Sequence, residues 1–417
     1  EFLALHDYLE SEFPKVHQTL EREVVGQYSL LYRWPGTDSS AQPILLMSHL
    51  DVVPVPAVET TRWTHGPWEG VVADGFVWGR GALDVKCGVT SLLEATEHLL
   101  EQGFQPKCDV YFAFGHDEEV GGSHGNLQMA LRFRERGIRF RFVLDEGGVI
   151  VKGVIPGLES PMGLIAVAEK GYANLRLIVE LEDAGHSSMP PRQTAIGILS
   201  QAITKLEQSP PPASLNGPGG WMLDAIGPEL GFGKRFALAN RDVLNPLILQ
   251  QFSQKPTLNA VIRSTFATTV IQGGTSPNII PTRAEATINV RIRPGDTPET
   301  ILEHARATID DGRVICQLDP DPQYPSEVSD PDSADFQLLQ KTIRQIDPHI
   351  VVAPGLAIVA TDSRHYQGLT ENTFRFLPLR LGPDDLNRIH GINERMSVEN
   401  YLEMVQFMVL LLTNSTT

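Results

Sequence analysis

Cysteine is scarce in this 417-residue chain, which has only Cys87, Cys108 and Cys316. Residues so few and so scattered exclude a disulfide framework and a thiolate zinc site, and they leave the compartment open. Positive charge is also in deficit. With 34 Lys+Arg against 51 Asp+Glu the formal net charge is −17, the wrong sign for releasing counterions from nucleic acid, so no nucleic-acid partner is expected. No run of about 18 apolar residues exists, so no transmembrane segment is expected. The apolar stretch at 409–412 extends a periodic pattern from Tyr401 and reads as a docked terminal helix. No nucleotide-motif lysine follows Gly121-Gly122-Ser123-His124-Gly125, which therefore reads as a turn into a helix. No Gly-x-Ser-x-Gly elbow supports a serine hydrolase. The chain begins at Glu1 rather than Met, so a secreted, periplasmic or membrane-anchored protein with a missing N-terminal leader is favoured over a cytoplasmic one. The glycosylation-type triplet Asn414-Ser415-Thr416 reads as part of a polar tail.

What is present is ordinary globular composition, 41% hydrophobic and 20% charged, and a length that suggests two or three domains at about 150 residues each. A short helix over 2–13 is followed by strands at 28–34 and 43–47, a helix over 85–102, a strand at 110–114, a helix over 126–136 and a strand at 140–144. Strand and helix alternate, so this part reads as a mostly parallel α/β sheet. After Pro161 the order becomes strand, helix, strand, strand, helix, strand, ending at 314–318. That is the split βαβ arrangement of an α+β unit. Alternation resumes with a helix over 334–346. The expected organisation is a catalytic domain in two parts, 1–163 and 323–417, with a lid domain inserted at 164–322. An extra segment, 209–259, opens with Pro210-Pro211-Pro212 and is too long for a plain loop.

The polar residues that follow the buried strands carry the chemistry. His49-Leu50-Asp51 ends one strand, His116-Asp117-Glu118-Glu119 the next and Asp145-Glu146 the third, while Asp84 opens a helix after Gly79-Arg80-Gly81. Ligands of open parallel sheets bind at the carboxyl ends of strands, so all three sets converge on one edge. Carboxylates and imidazoles without thiolates suit Zn²⁺, Mn²⁺ or Co²⁺. One ion cannot use so many acids, whereas two ions sharing one carboxylate can, with a water between them. The adjacent Glu118 and Glu119 then suggest one ligand and one general base.

These residues bring a resemblance into view. His49-Leu50-Asp51, Gly79-Arg80-Gly81-Ala82-Leu83-Asp84-Val85-Lys86, Asp117-Glu118-Glu119 and Gly185-His186-Ser187-Ser188 resemble the zinc aminoacylase/carboxypeptidase metallopeptidases, which include aminoacylase-1, the carnosinases and bacterial glutamate carboxypeptidase. The stretches 115–120, 143–147, 361–366 and 390–394 are most similar to the N-fatty-acyl-amino-acid synthase/hydrolase branch. The resemblance implies two Zn²⁺ (Mn²⁺ or Co²⁺ being alternatives), one held by His49, bridging Asp84 and Asp145, the other by Asp84, Glu119 and His390. At the third strand, relatives place Asp or Glu, and Asp145 is preferred to Glu146. It further implies that Asp51 fixes the His49 tautomer, that Glu118 is the general base, and that the Asp84-Val85 peptide is cis. His186 would stabilise the oxyanion, often across a dimer interface, and Asn278 and Arg291 would grip the substrate carboxylate, with Arg293 a weaker candidate. The implied substrate is an N-acyl-amino acid or short peptide, with a homodimer possible through the lid.

The rivals are a dipeptidase or Gly-X carboxypeptidase and, from another class, a silent metal-stabilised binding protein. Silence predicts a lost base or ligand, yet Glu118 and every matched ligand are present. Trp221, Met222, Leu223, Phe232, Phe236, Leu247, Ile248, Leu249 and Phe252 offer more apolar surface than a solvated insertion needs. Taken alone they fit packing onto the lid as well as a groove for an acyl chain; the resemblance favours the groove. Cys87 reads as a small core residue.

Overall fold

Ile44–His49 and Val110–Gly115 are buried at every position, as the continuous apolar runs of a strand covered on both faces require. The computed structural model, which describes residues 1–183 and 185–417, pairs them in parallel, with Val143–Asp145 parallel on the other side of Ile44–His49. Ten strands among the described residues form this mixed, mostly parallel sheet. Helices Lys86–Glu101, Ala334–Ile346 and Val398–Thr416 cover one face, their Leu92, Leu93, Leu339, Met404 and Phe407 sharing a core with Leu46, Phe112 and Phe374. Cys87 is buried in that core, as expected for a structural cysteine. The terminal helix runs to Thr416 with Ser415 and Thr416 buried, and Asn414 bonds to Thr342 and Gln345. The glycosylation-type triplet is therefore helical and packed rather than a polar tail. No helix among the described residues is long and apolar enough to cross a membrane.

A second sheet of four antiparallel strands is built from Thr265–Gly273, Arg283–Ile292, Gly171–Glu180 and Val314–Leu318. Arg283–Ile292 alternates buried and accessible positions, because one face packs on helices Ala195–Gln208 and Pro298–Ile309 and the other stays open. The chain crosses between sheets at Lys170, since Met162–Glu169 pairs in the large sheet and Gly171–Glu180 in the small one. The expected boundary stood at 163/164. Periodicity cannot place such a crossing, because the two strands are continuous in pattern.

The extra segment does not extend the lid. Its helices Pro218–Ile226, Arg241–Ser253 and Pro256–Ile262 build a core of Met222, Leu223, Ile226, Ile248 and Ile262 with Leu158 of a neighbouring loop and with Met162 and Ala353 of the large sheet. Trp221 joins the main core. The expected groove wall is thus largely an interior, and of the expected lining Phe232, Phe236 and Leu247 remain exposed.

Candidate metal centre

His49 is the last residue of its strand, and Glu118–Val120 is a single 3-10 turn just beyond Val110–Gly115. Asp117 shapes that turn by accepting the N–H groups of His124 (2.7 Å) and Gly125 (2.9 Å), which leads the chain into the helix Asn126–Glu135. His116 points elsewhere and bonds Ser29 at 2.6 Å. Asp51 accepts the N–H groups of Glu118 (3.2 Å) and Glu119 (3.0 Å). Its carboxylate also lies 3.3 Å from His49 Nδ1, and its carbonyl 3.0 Å. Asp51 therefore lies against the ring and also holds the backbone of both glutamates.

With Nδ1 so engaged, His49 Nε2 faces Asp84 Oδ1 at 3.1 Å and Glu146 Oε1 at 3.2 Å. The other Asp84 oxygen, Oδ2, lies 2.9 Å from His390 Nε2, which is 3.2 Å from Glu119 Oε2. Two metal-type groups result, His49–Asp84–Glu146 and Asp84–Glu119–His390, sharing Asp84. The Asp84-Val85 peptide is cis.

The third-strand member is Glu146 where Asp145 was expected. Successive residues of a strand point to opposite sides, and Asp145 turns inward to accept the N–H groups of Ser363 and Glu146, both at 2.9 Å. Its carboxylate is spent on backbone, and Glu146 takes the position beside His49. Sequence reasoning also passed over Arg80 and Glu394, a buried ion pair beside the centre. Both stand in stretches that the resemblance singled out, but an ion pair between residues 314 positions apart leaves no local signal.

The electrostatics suit cations. Glu118 is pushed up to about 10 by burial and by Glu146, and Glu146 up to about 7 by burial. Burial and Asp84 also raise Glu119. Asp84 is lowered because His390 and His49 outweigh its burial. Likewise Glu146, Asp51 and Asp84 outweigh burial at His49 and hold it well above the usual histidine range. Glu119 Oε1 is buried without a hydrogen-bond partner. Carboxylates Asp84, Glu118, Glu119 and Glu146 thus crowd around two imidazoles with unspent lone pairs, which is the donor set of a divalent metal centre.

A family model described as peptidase family M20/M25/M40 matches residues 45–414. The chain belongs to this family. Over 417 residues it is 43% identical to the probable carboxypeptidase S-like 2 of Dictyostelium discoideum, covering 100% of this chain and 80% of that protein. Over 419 residues it is 40% identical to the mouse N-fatty-acyl-amino acid synthase/hydrolase PM20D1, covering 99% and 82%. The M20 metallo-carboxypeptidase Sso-CP2 of Sulfolobus solfataricus shares the fold, with a TM-score of 0.66 at 16% identity over 98% of this chain and 93% of that one. The chain is accordingly a metal-dependent hydrolase of the M20 family.

The residues expected to handle substrate lie within the stretch 171–318 that carries the four-stranded sheet, and not together. His186 and Asn278 are exposed neighbours: Gly185–His186 pairs with Ile279–Ile280, and Ser187 N–H donates to the Asn278 carbonyl at 3.2 Å. Arg291 stands at the opposite end of the strand Arg283–Ile292, its Cζ 5.0 Å from the centroid of the Tyr172 ring. The eight steps from Arg283 to Arg291 span roughly 26 Å at about 3.3 Å per residue. Among the described residues no hydrogen bond or ion pair joins His186, Asn278 or Arg291 to the metal-type cluster. Arg293 donates to the Asn216 carbonyl.

Proposed function

We propose that this M20 hydrolase holds two zinc ions and cleaves, and can form, the amide bond of N-acyl-amino acids, with long-chain N-fatty-acyl-amino acids as preferred substrates. The observation that carries the reading is Asp84 presenting one oxygen to each of two triads, with Glu118 beside them. His49, Asp84 and Glu146 would hold one ion, and Asp84, Glu119 and His390 the other. When bound, such ions polarise a carbonyl and bring the pKa of water towards about 7.

The chain's own groups do the rest. Glu118 takes the proton of the attacking water and delivers it to the departing nitrogen, both general acid–base steps. Its backbone N–H is held by Asp51, so the turn that carries it is fixed before substrate arrives. His186 donates to the developing oxyanion, and Arg291 binds the substrate carboxylate with its fork of donors. The long separation of Arg291 from His186 and Asn278 along one lid supports a homodimer in which a second copy supplies the latter two. The fatty-acyl preference is supported by the 40% identity to mouse PM20D1.

A Gly-X carboxypeptidase or dipeptidase is the second reading, supported by the 43% identity to the Dictyostelium carboxypeptidase S-like protein. A panel of N-acetyl-, N-oleoyl- and unblocked dipeptide substrates, each with and without chelator, separates the two. Chelator-sensitive cleavage of the oleoyl conjugates above the others is the expected result; a preference for dipeptides overturns it.

A further inference from the structure

Arg80 and Glu394 form an ion pair that the chemistry above does not use. Their side chains are 2% and 0% exposed, and Arg80 Nη1 lies 2.5 Å from Glu394 Oε2. The pair sits where two short antiparallel strands end together, Phe76–Trp78 and Arg395–Ser397, with Trp78 opposite Arg395. One strand exits through Gly79 towards Asp84, and the other is entered from His390. A single ladder therefore gathers both metal-bearing loops, and the Gly79 N–H continues it by donating to the Glu394 carbonyl at 3.1 Å.

From this point the pair reaches into both loops. Glu394 Oε1 accepts the backbone N–H groups of Gly81 (3.0 Å), Leu83 (2.8 Å) and Asp84 (3.2 Å), fixing the backbone as far as the shared carboxylate. Arg80 Nη2 donates to the carbonyls of His390 (3.1 Å) and Gly391 (3.2 Å). His390 needs that support: its side chain is 49% exposed and its φ is +58°, a conformation uncommon outside glycine.

We propose that Arg80 and Glu394 are positioning residues that set the ion affinity of the Asp84–Glu119–His390 group more than that of the His49–Asp84–Glu146 group. The former draws Asp84 and His390 from the two pinned loops, whereas the latter draws only Asp84. His49 ends one central strand and Glu146 directly follows another, and the ion pair touches neither. Groups that orient ligands in this way are as much a part of a metal site as the ligands themselves. The inference rests on the two-ion reading.

The test is titration of chelator-stripped protein with Co²⁺, followed by calorimetry and visible absorption, which reads each binding step apart from turnover. Arg80→Lys keeps a cation against Glu394 but lacks the fork that reaches the two carbonyls. It should weaken one of the two binding steps about 10–100-fold and leave the other within about threefold. Glu394→Gln should act in the same direction. Leu339→Ala, a cavity in the main core, is the control for lost stability and should keep both steps. Unchanged binding in Arg80→Lys, equal weakening of both steps, or the same selective loss in Leu339→Ala would overturn the inference. Uptake of fewer than two equivalents by the unaltered protein would instead overturn the two-ion reading beneath it.

Discussion

Replacing Glu118 by Gln isolates the proposed general base. The substitution keeps the shape of the side chain and removes its capacity to take up a proton. The backbone N–H groups of Glu118 and Glu119 are held by Asp51, so the turn persists, and Glu118 belongs to neither metal-type group, so metal uptake should persist too. General-base removal costs about 10²–10⁴ in rate, or about 2.7–5.4 kcal/mol at about 1.36 kcal/mol per decade. Burial and Glu146 raise the carboxyl of the metal-free chain; two bound cations would act in the opposite direction and favour the ionised form that a base requires. The assay is kcat/KM on an N-acyl-phenylalanine, with metal content measured on the same sample by mass spectrometry. Glu118→Gln should contain as much metal as the unaltered enzyme and turn over at least about 100-fold more slowly. Turnover within about threefold, with the metals in place, refutes the assignment; loss of metal together with activity makes Glu118 a ligand instead.

Glu146→Ala should lower metal affinity far more than any change at Asp145 that spares its backbone bonds, and Asp145→Asn should act chiefly on stability; the reverse ranking in a metal titration would restore Asp145 as the ligand. His186→Ala should reduce kcat more than it raises KM, and mixing it with Glu118→Gln chains should recover activity in heterodimers; no recovery despite proven subunit exchange would place His186 outside a shared site. Leu223 is buried in the insertion core, so Leu223→Ala should cost about 2–5 kcal/mol of stability without flattening the rise of kcat/KM with acyl length; a lost chain-length trend at unchanged thermal stability would return the segment to the groove. For pH, the folded chain raises Glu146 from 4.5 to about 7, so after chelation this group holds a proton that the unfolded chain has released. Its contribution is complete below about 4.5 and lost as pH rises through about 7, while ions bind best once it is deprotonated. The rise in melting temperature on adding Zn²⁺ should therefore grow from pH 5 to pH 8, and a constant or shrinking increment measured by scanning fluorimetry would contradict this.

The sequence by itself determined the sheet and the identity of its chemical edge. Ile44–His49 and Val110–Gly115 are uninterrupted apolar runs that end in His and acidic residues, and a strand buried on both faces can present polar side chains only at its ends. His49, Asp51, Asp84, Glu118, Glu119 and His390 were legible because each stands at such an end or in a stretch of distinctive residues. Tertiary structure decided what those patterns leave degenerate. Asp145 and Glu146 are equivalent as letters, and only the packing of Ser363 against Asp145 assigns Glu146 to the cluster. Met222, Leu223 and Ile248 are equally good as core or groove wall until Leu158, Met162 and Ala353 are seen to cover them. Glu394 reads as one more acid in a loop, and becomes the support of Asp84 only when a partner 314 residues away in sequence arrives beside it. Local pattern records which face of an element is buried, whereas the partner that buries it is a property of the whole chain.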